Sequence, residues 1–138
     1  MPESIDKTRL NGAVLVMIVE DEEPIADTLA MVVSDAGFDL LRAANGRQAL
    51  ELLSDQRPAL VITDLMMPFV DGSALIAQLR ADAITLGLPR TPIILMTAAG
   101  TQRTKGIDAD IIITKPFDID QIDDLLQRFL MPETPRGC

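Results

Sequence analysis

The stretch VLVMIVED occupies residues 14–21 and consists of six apolar residues followed by two acids. A continuous run of this kind, rich in Val and Ile, is typical of a strand buried on both faces of a parallel sheet. Three further apolar runs also end on a chemically active side chain: residues 59–64 end in Asp64, residues 93–97 in Thr97 and residues 111–115 in Lys115. The pattern predicts parallel strands that each carry a functional group at the carboxyl end.

Helical patterns separate these runs, so strands and helices alternate about five times. Pro24 marks the start of the first helix, a weaker strand over residues 38–43 follows, and an apolar stripe over residues 119–129 marks the last helix. This alternation predicts right-handed βαβ units in a three-layer α/β sandwich. A doubly wound sheet of this type has five parallel strands in the order 2-1-3-4-5.

Two segments depart from regular alternation. Residues 81–91 contain Gly87 and are interpreted as a long connection before the fourth strand. Thr97 and Lys115 are close in sequence, so a loop, a helix, a turn and a strand must share a short segment. The fourth helix, within residues 100–106, is therefore predicted to be short or irregular.

The length of 138 residues fits one domain. We predict an N-terminal extension over residues 1–12, a domain over residues 13–130 and a flexible C-terminal tail over residues 131–138. The single cysteine, Cys138, leaves no internal disulfide and no cysteine-based metal site.

Composition excludes several classes of function. The net charge of −9 argues against direct nucleic-acid binding, which needs clustered Lys and Arg. The absence of histidine excludes Ser-His-Asp and Cys-His catalysis and a role as phosphohistidine donor. Neither a signal-peptide pattern nor an apolar run near the ~18 residues of a membrane span is present. These features predict a cytoplasmic protein without membrane association.

The groups at the strand ends define a candidate site. In an open α/β sheet, residues beyond the carboxyl ends of the strands gather in one crevice. Two carboxylates about 4 Å apart repel by roughly 4 kcal/mol at an effective dielectric near 20, so Glu20, Asp21 and Asp64 together favour a bound cation. Mg²⁺ suits such a site because it binds few carboxylates, keeps several waters and takes phosphate oxygens as further ligands.

Asp64 is the best candidate for a nucleophile toward a phosphoryl group. It follows the third strand, which lies beside the first at the switch point of such a sheet. Lys115, the Thr97 hydroxyl and the Ala98 backbone N–H can supply positive charge and hydrogen bonds to the phosphoryl oxygens.

The motifs that carry these residues closely resemble the receiver domain of two-component response regulators, a CheY-like family of bacterial signalling proteins. The matching segments are Val19–Glu22, Asp64–Pro68 with Asp71-Gly72, Met96–Ala98 and Thr114–Phe117. The resemblance spans roughly residues 13–130. It implies a flavodoxin-like fold and a signalling switch that accepts a phosphoryl group on Asp64 and changes conformation.

The resemblance also implies partners and site roles. The phosphoryl donor would be a sensor histidine kinase or a histidine phosphotransfer protein, and the signal would pass to an output partner protein; homodimerisation is left open. Mg²⁺ would be held by Asp21, Asp64 and the Met66 backbone carbonyl, with Glu20 acting partly through water. Lys115 and Thr97 would contact the phosphoryl group, and the Lys115–Pro116 peptide would be cis.

One position departs from the family pattern, and two others bear on the lifetime of the acyl phosphate. Ile112 stands where most relatives have an aromatic residue that moves with the threonine, which puts that coupling in doubt; its simplest interpretation is a buried strand residue. Met66 and Ala99 stand where relatives tune hydrolysis of the acyl phosphate. Neither side chain can orient water, so slow self-dephosphorylation is predicted.

Two other functions are weighed against a phosphorylated receiver. A degenerate receiver would bind proteins without phosphoryl chemistry, but Asp64, Asp21 and Lys115 are all present. A haloacid-dehalogenase-like phosphatase would need a second acid two residues after the nucleophile, where this chain has Met66. A receiver promotes only its own phosphorylation and dephosphorylation, so we do not expect an enzyme that turns over a separate substrate.

Overall fold

The described part of the chain, residues 9–10, 13–67, 70–98 and 104–131 of a computed structural model, contains six strands and four α-helices. The strands are β1 (Arg9–Leu10), β2 (Ala13–Val19), β3 (Asp39–Ala43), β4 (Leu60–Asp64), β5 (Ile93–Ala98) and β6 (Ile111–Lys115). The helices are α1 (Glu23–Asp35), α2 (Gly46–Leu53), α3 (Gly72–Leu86) and α4 (Ile119–Leu130).

The five longer strands are parallel and lie in the order β3-β2-β4-β5-β6. This confirms the predicted order 2-1-3-4-5, counted from β2. The short β1 is an addition, because the sequence predicts only an extension over residues 1–12. In the structure, Arg9 and Leu10 pair antiparallel with the start of β2.

Two predicted segments fall largely on residues that the structure does not describe. Of the predicted fourth helix, residues 100–103 lie outside the described ranges and residues 104–106 form a turn. Of the predicted tail, residues 132–138 also lie outside them. None of the helices in the described ranges combines the length and apolarity needed to cross a bilayer.

The sheet separates two apolar layers, as a three-layer sandwich requires. Alternate strand residues face opposite sides, so Val16 and Ile18 belong to one layer while Met17 and Val19 belong to the other. The first layer is completed by α1 and α4, and the second by α2 and α3. Fully burying each large aliphatic side chain contributes roughly 2 kcal/mol, which makes these layers the main source of stability.

The strand β6 differs from the prediction that every strand is buried on both faces. Ile113 is buried, but Ile112 is 45% exposed and Thr114 is also exposed. Within the described sheet, β6 pairs with β5 on one side and forms the edge. The interpretation of Ile112 as a buried strand residue is therefore wrong.

The helix α3 is longer than the sequence suggests. Residues 81–91 are predicted to be a connection, whereas the helix continues to Leu86. Gly87 ends it in the left-handed conformation, φ 66°, with Gly87 N–H donating to Ile84 O and Leu88 N–H donating to Ala83 O. These two bonds form a Schellman motif, so Gly87 marks a helix end rather than a loop.

Candidate functional site

Three carboxylates meet at the carboxyl edge of the sheet. Glu20 and Asp21 directly follow β2, and Asp64 is the last residue of β4. Val19 lies opposite Thr63 in the ladder between these strands, so the residues that follow lie side by side. One carboxylate oxygen from each acid lies within 4.8 Å of the other two. The predicted convergence is confirmed.

Lys115 joins the carboxylates from the end of β6. Its Nζ lies 3.0 Å from Glu20 Oε1 and 3.3 Å from Asp64 Oδ1. The parallel register aligns the strand ends and so brings together side chains that are far apart in sequence. The peptide between Lys115 and Pro116 is cis, as predicted. The ion pair with Glu20 is new, because the sequence assigns Glu20 to the metal only.

Burial and charge shift the titration of this group. Burial raises the pKa of Asp64; Lys115 opposes that shift, and the charge of Asp21 adds to it. Burial also raises the pKa of Glu20, against a hydrogen bond from Lys115. Burial alone would lower the pKa of Lys115, but its two carboxylate partners outweigh burial and raise it. One ammonium does not neutralise three carboxylates, so the site keeps an excess of negative charge.

Backbone contacts fix the orientation of Asp64. The Leu65 N–H lies 3.0 Å from Asp64 Oδ1 and 2.9 Å from the Met96 carbonyl, so it is shared between the side chain and the neighbouring strand. The buried Thr63 hydroxyl donates to the Asp64 carbonyl at 3.0 Å. The carboxylate is therefore held at a defined position at the end of β4.

Gly72 is a site residue whose role the sequence does not reveal. A Cβ there would contact the Asp64 carbonyl oxygen and lie 2.9 Å from Leu65 Cα. The Gly72 N–H donates to the Leu65 carbonyl at 2.9 Å, and the Asp71 side chain caps α3 by accepting from Ala74 N–H. The Asp-Gly pair is predicted as a turn into the helix. Its glycine is needed because α3 begins against the backbone that carries Asp64.

The remaining predicted residues lie around the same edge. Asp64 is opposite Met96 in the β4–β5 ladder, so Thr97 lies one position further along. Thr97 is buried, whereas Ala98, opposite Lys115, is exposed. Met66, two residues after Asp64, is exposed. The phosphoryl contacts of Thr97 and Ala98 and the metal contact of the Met66 carbonyl remain predictions.

The donor set fits a hard divalent cation. Glu20, Asp21 and Asp64 offer oxygen ligands within one ion's reach, and Asp21 is exposed, which leaves an approach from solvent. Oxygen-only sites with few protein ligands suit Mg²⁺, which retains several waters. The described residues therefore form an acidic cluster that could bind a metal.

Comparisons with known proteins agree with this geometry. The family described as "Response regulator receiver domain" matches residues 16–127. The chain is similar to the phosphate regulon transcriptional regulatory protein PhoB of Pseudomonas aeruginosa, 37% identical over 106 residues, covering 74% of this chain and 45% of that protein. It is also similar to the sporulation initiation phosphotransferase F of Bacillus subtilis, 33% identical over 119 residues, covering 83% of this chain and 92% of that protein.

A solved structure shows the same fold. The response regulator protein TrrA from Thermotoga maritima, in complex with Mg²⁺-BeF, is 26% identical with a TM-score of 0.73, covering 84% of this chain and 98% of that one. The chain spans about half the length of most of the curated relatives that it matches, with 45% to 52% of the first four. From the matched residues 16–127, the strand order and the acidic edge, the chain belongs to the response regulator receiver domain family.

Proposed function

We propose that the chain is a phosphoaccepting receiver, in which Asp64 takes a phosphoryl group from a phosphohistidine of a sensor histidine kinase or a phosphotransfer protein. The observation that carries this proposal is the position of Lys115 Nζ, 3.3 Å from Asp64 Oδ1, with Glu20 and Asp21 alongside. The grouping unites a nucleophile, a fixed cation and an acidic metal site at one sheet edge.

The reaction is a direct displacement at phosphorus. An Asp64 carboxylate oxygen attacks, the bond between phosphorus and the histidine nitrogen breaks, and its electron pair returns to the imidazole ring. The Leu65 N–H and Lys115 hold Oδ1 and so orient the nucleophile. Lys115 also provides positive charge where the phosphoryl oxygens would lie. Thr97 and the Ala98 N–H would supply further hydrogen bonds.

The proposed cofactor is Mg²⁺, held by Asp21, Asp64 and the Met66 carbonyl, with Glu20 nearby. When bound, this ion offsets the negative charge of the carboxylates and of the incoming phosphoryl group. Support comes from the excess of acidic groups at the site and from the Thermotoga maritima relative, which was solved with Mg²⁺-BeF. The pair between Glu20 and Lys115 leaves Asp21 and Asp64 as the main carboxylate ligands.

Phosphorylation is tested with acetyl phosphate and Mg²⁺, followed by intact mass measurement. The wild type is expected to gain the mass of one phosphoryl group, and Asp64→Asn is expected to gain none. Asp71→Asn is the matched control: this acid lies in the same connection and caps α3, and asparagine caps equally well. It should label like the wild type.

The alternative is a degenerate receiver that binds proteins without phosphorylation. It would be supported if the wild type remained unlabelled by acetyl phosphate and by a phosphorylated histidine donor. Labelling of Asp64→Asn would instead place the acceptor at another residue. We expect free phosphate to appear only as fast as the phosphorylated protein loses its own phosphoryl group, because the chain is not proposed to turn over a separate substrate.

The proposed output is a conformational change read by a partner protein. Ile112 is exposed on β6, where relatives usually have an aromatic ring. Comparing amide chemical shifts with and without acetyl phosphate in wild type and Ile112→Tyr would show whether a ring strengthens the response of β6.

Since the Met66 side chain cannot orient water, we also expect the phosphorylated protein to have a half-life of minutes or longer in Mg²⁺ buffer. A half-life of seconds would contradict this.

A further inference from the structure

The first turn of α2 packs closely against the chain that follows Asp64. Gly46, the first residue of α2, is buried. A Cβ at this position would collide with the Val70 carbonyl oxygen and lie 2.8 Å from both the carbonyl carbon and the Cβ of Val70. Gly46 is not one of the described glycines with a positive φ. Close packing, rather than backbone conformation, therefore requires glycine here.

Val70 belongs to the connection that leads from Asp64 to α3. The Gly72 N–H donates to the Leu65 carbonyl at 2.9 Å, which ties the end of this connection to its beginning. Val70 packs, partly buried, against the apolar layer that α2 and α3 complete. The start of α2 thus bears on the same backbone segment that carries Asp64 and the Met66 carbonyl.

The residues just before α2 are tied to the other half of the acidic cluster. The Glu20 N–H donates to the carbonyl of Ala43, the last residue of β3, at 3.0 Å. The Gln48 side chain accepts from the Ala44 N–H at 2.6 Å, and the Asn45 side chain accepts from the Gln48 N–H at 2.8 Å. These reciprocal bonds are similar to a capping box and fix the first turn of α2 on the end of β3.

We propose that Gly46 is a positioning residue for the metal site. By letting α2 touch Val70, it sets the spacing between the acids that follow β2 and the groups that follow β4. This role rests on the proposed Mg²⁺ site and phosphorylation of Asp64, and it belongs to a residue that touches neither the ion nor the phosphoryl group. Mg²⁺ demands near-ideal octahedral geometry, whereas Ca²⁺ accepts six to eight oxygens in a flexible arrangement. A displaced connection should therefore weaken Mg²⁺ binding more than Ca²⁺ binding.

Titrations of the full chain with Mg²⁺ and with Ca²⁺, followed by amide chemical shifts, test this proposal. Gly46→Ala should raise the dissociation constant for Mg²⁺ at least about tenfold, because its methyl group pushes Val70 and the connection away from α2. It should raise the dissociation constant for Ca²⁺ less than about threefold. A smaller folded population would instead weaken both ions by the same factor. Labelling by acetyl phosphate should require correspondingly more Mg²⁺.

Gly37→Ala is the matched control. Gly37 follows α1 with a φ of 94° and has no atom within 4 Å of a new Cβ, so the same methyl group adds backbone strain away from the site. Its dissociation constant for Mg²⁺ should stay within about twofold of the wild-type value. Circular dichroism melting compares the stability of the variants.

Gln48→Ala is a second variant, which removes the bond to the Ala44 N–H without adding an atom. It should raise the dissociation constant for Mg²⁺ about threefold, and it decides the question if Gly46→Ala does not fold.

The outcomes separate this role from the proposed function. A wild type that binds no Mg²⁺ would overturn the proposed metal site and the role of Gly46 with it. If the wild type binds Mg²⁺ and Gly46→Ala binds it equally well, only the role of Gly46 is overturned. The same holds if Gly46→Ala weakens Mg²⁺ and Ca²⁺ by equal factors, if Gly37→Ala weakens Mg²⁺ as much, or if Gln48→Ala, as the folded substitute, leaves Mg²⁺ binding unchanged.

Discussion

Charged side chains cluster at both ends of the parallel strands: at the carboxyl edge, where the strands end, and at the amino edge, where β5 and β6 begin. Only the cluster at the amino edge has equal numbers of positive and negative charges. Among the described residues at the carboxyl edge, Glu20, Asp21 and Asp64 lie beside one cation, Lys115. At the amino edge, arginines and aspartates are equal in number and linked in a network. In the part of the chain that the structure describes, the carboxyl edge thus keeps an excess of negative charge, whereas the two arginines and two aspartates of the amino edge balance each other.

One aspartate from each edge shows how the environment decides the difference. Burial is the largest influence on both Asp64 and Asp110, and it acts to raise the pKa of each. At Asp110 the Ile93 N–H and two arginines outweigh burial, so its pKa is lowered. At Asp64 burial prevails, and its pKa is raised. An acid at a strand end is structural when its donors satisfy it and open to ligands when they do not.

The largest effect is expected from the glycine that joins α3 to the carboxyl edge. In Gly72→Ala, the new Cβ would collide with the Asp64 and Leu65 backbone, so the acceptor loop or the helix must shift. We expect a loss of about 3 kcal/mol in the free energy of unfolding, measured with urea, together with slower labelling by acetyl phosphate.

The other end of the same helix provides the control. Gly87 has a positive φ of 66° but nothing within 4 Å of a new Cβ, so Gly87→Ala adds only backbone strain. It should cost about 1 kcal/mol and leave labelling unchanged. Equal losses for the two variants would show that close packing beside Asp64 is not what requires glycine at position 72.

A smaller effect, about 2 kcal/mol at neutral pH, is expected from Asp110→Asn at the amino edge. The Asp110 carboxylate accepts from Arg80 Nη2 at 2.9 Å and from the Ile93 N–H at 2.7 Å. Asparagine has no negative charge, so it cannot make hydrogen bonds of the same strength to both donors. Urea unfolding at pH 7 measures the loss. Asp82→Asn is the comparison, because this partly exposed carboxylate on α3 accepts from Gln78 Nε2 and makes no ion pair with the described residues of the network.

The effect of Asp110→Asn should depend on pH with a definite sign. Because the folded-state pKa of Asp110 lies below its ordinary value of 3.8, its stabilisation is fully present above that pH. It is lost as the pH falls through the folded-state pKa. The gap between wild type and Asp110→Asn should therefore narrow below pH 3.8, and a gap that stays constant down to pH 2 would contradict the assignment.

At the carboxyl edge, replacing Asp64 by asparagine should stabilise the protein. The raised pKa of Asp64 means that its contribution to stability falls as the pH rises from 3.8 through the folded-state pKa. Asp64→Asn imitates the neutral form, and Lys115 keeps Glu20 as a partner. We expect a gain of about 1 kcal/mol at pH 7 without Mg²⁺.

Added Mg²⁺ should make the wild type more stable than Asp64→Asn. At a concentration of ten times the dissociation constant, a bound ion stabilises by about 1.4 kcal/mol, so the wild type should gain that much and Asp64→Asn should gain little. Thermal melting with and without Mg²⁺ measures both. If the two proteins responded equally to the ion, Asp64 would not be a ligand.

The carboxyl edge could be predicted from sequence because each group follows its own apolar run. Once Asp64 and Lys115 end parallel strands, the geometry of the sheet places them together. Asp110 could not be recognised in the same way, because it precedes its strand and its partners Arg80 and Arg90 come from a helix and a loop. Contacts of that kind depend on packing, which no local pattern records.

The wrong predictions for the end of α3 and for the burial of Ile112 also arise from packing that no local pattern records. Gly87 is a typical residue for the end of a helix. The residues before it from position 80 onward include no buried apolar side chain, so the apolar periodicity of the sequence does not predict that α3 continues to Leu86. Ile112 lies in an apolar run that suggests burial, yet β6 has a described neighbour strand on one side only. Gly72 shows its role only when α3 meets the Asp64 backbone.

The smallest effect is expected for an ion pair near the carboxyl edge that is well formed but exposed. Arg42 Nη1 lies 2.8 Å from Asp27 Oδ1, shorter than the 2.9 Å between Arg80 Nη2 and Asp110 Oδ2, yet both side chains are exposed. Asp27→Asn should therefore change the free energy of unfolding by less than about 0.5 kcal/mol. A loss as large as that of Asp110→Asn would mean that a short ion-pair distance, rather than burial and multiple donors, makes the amino edge stable. Measured under the same urea conditions, the two variants separate these causes directly.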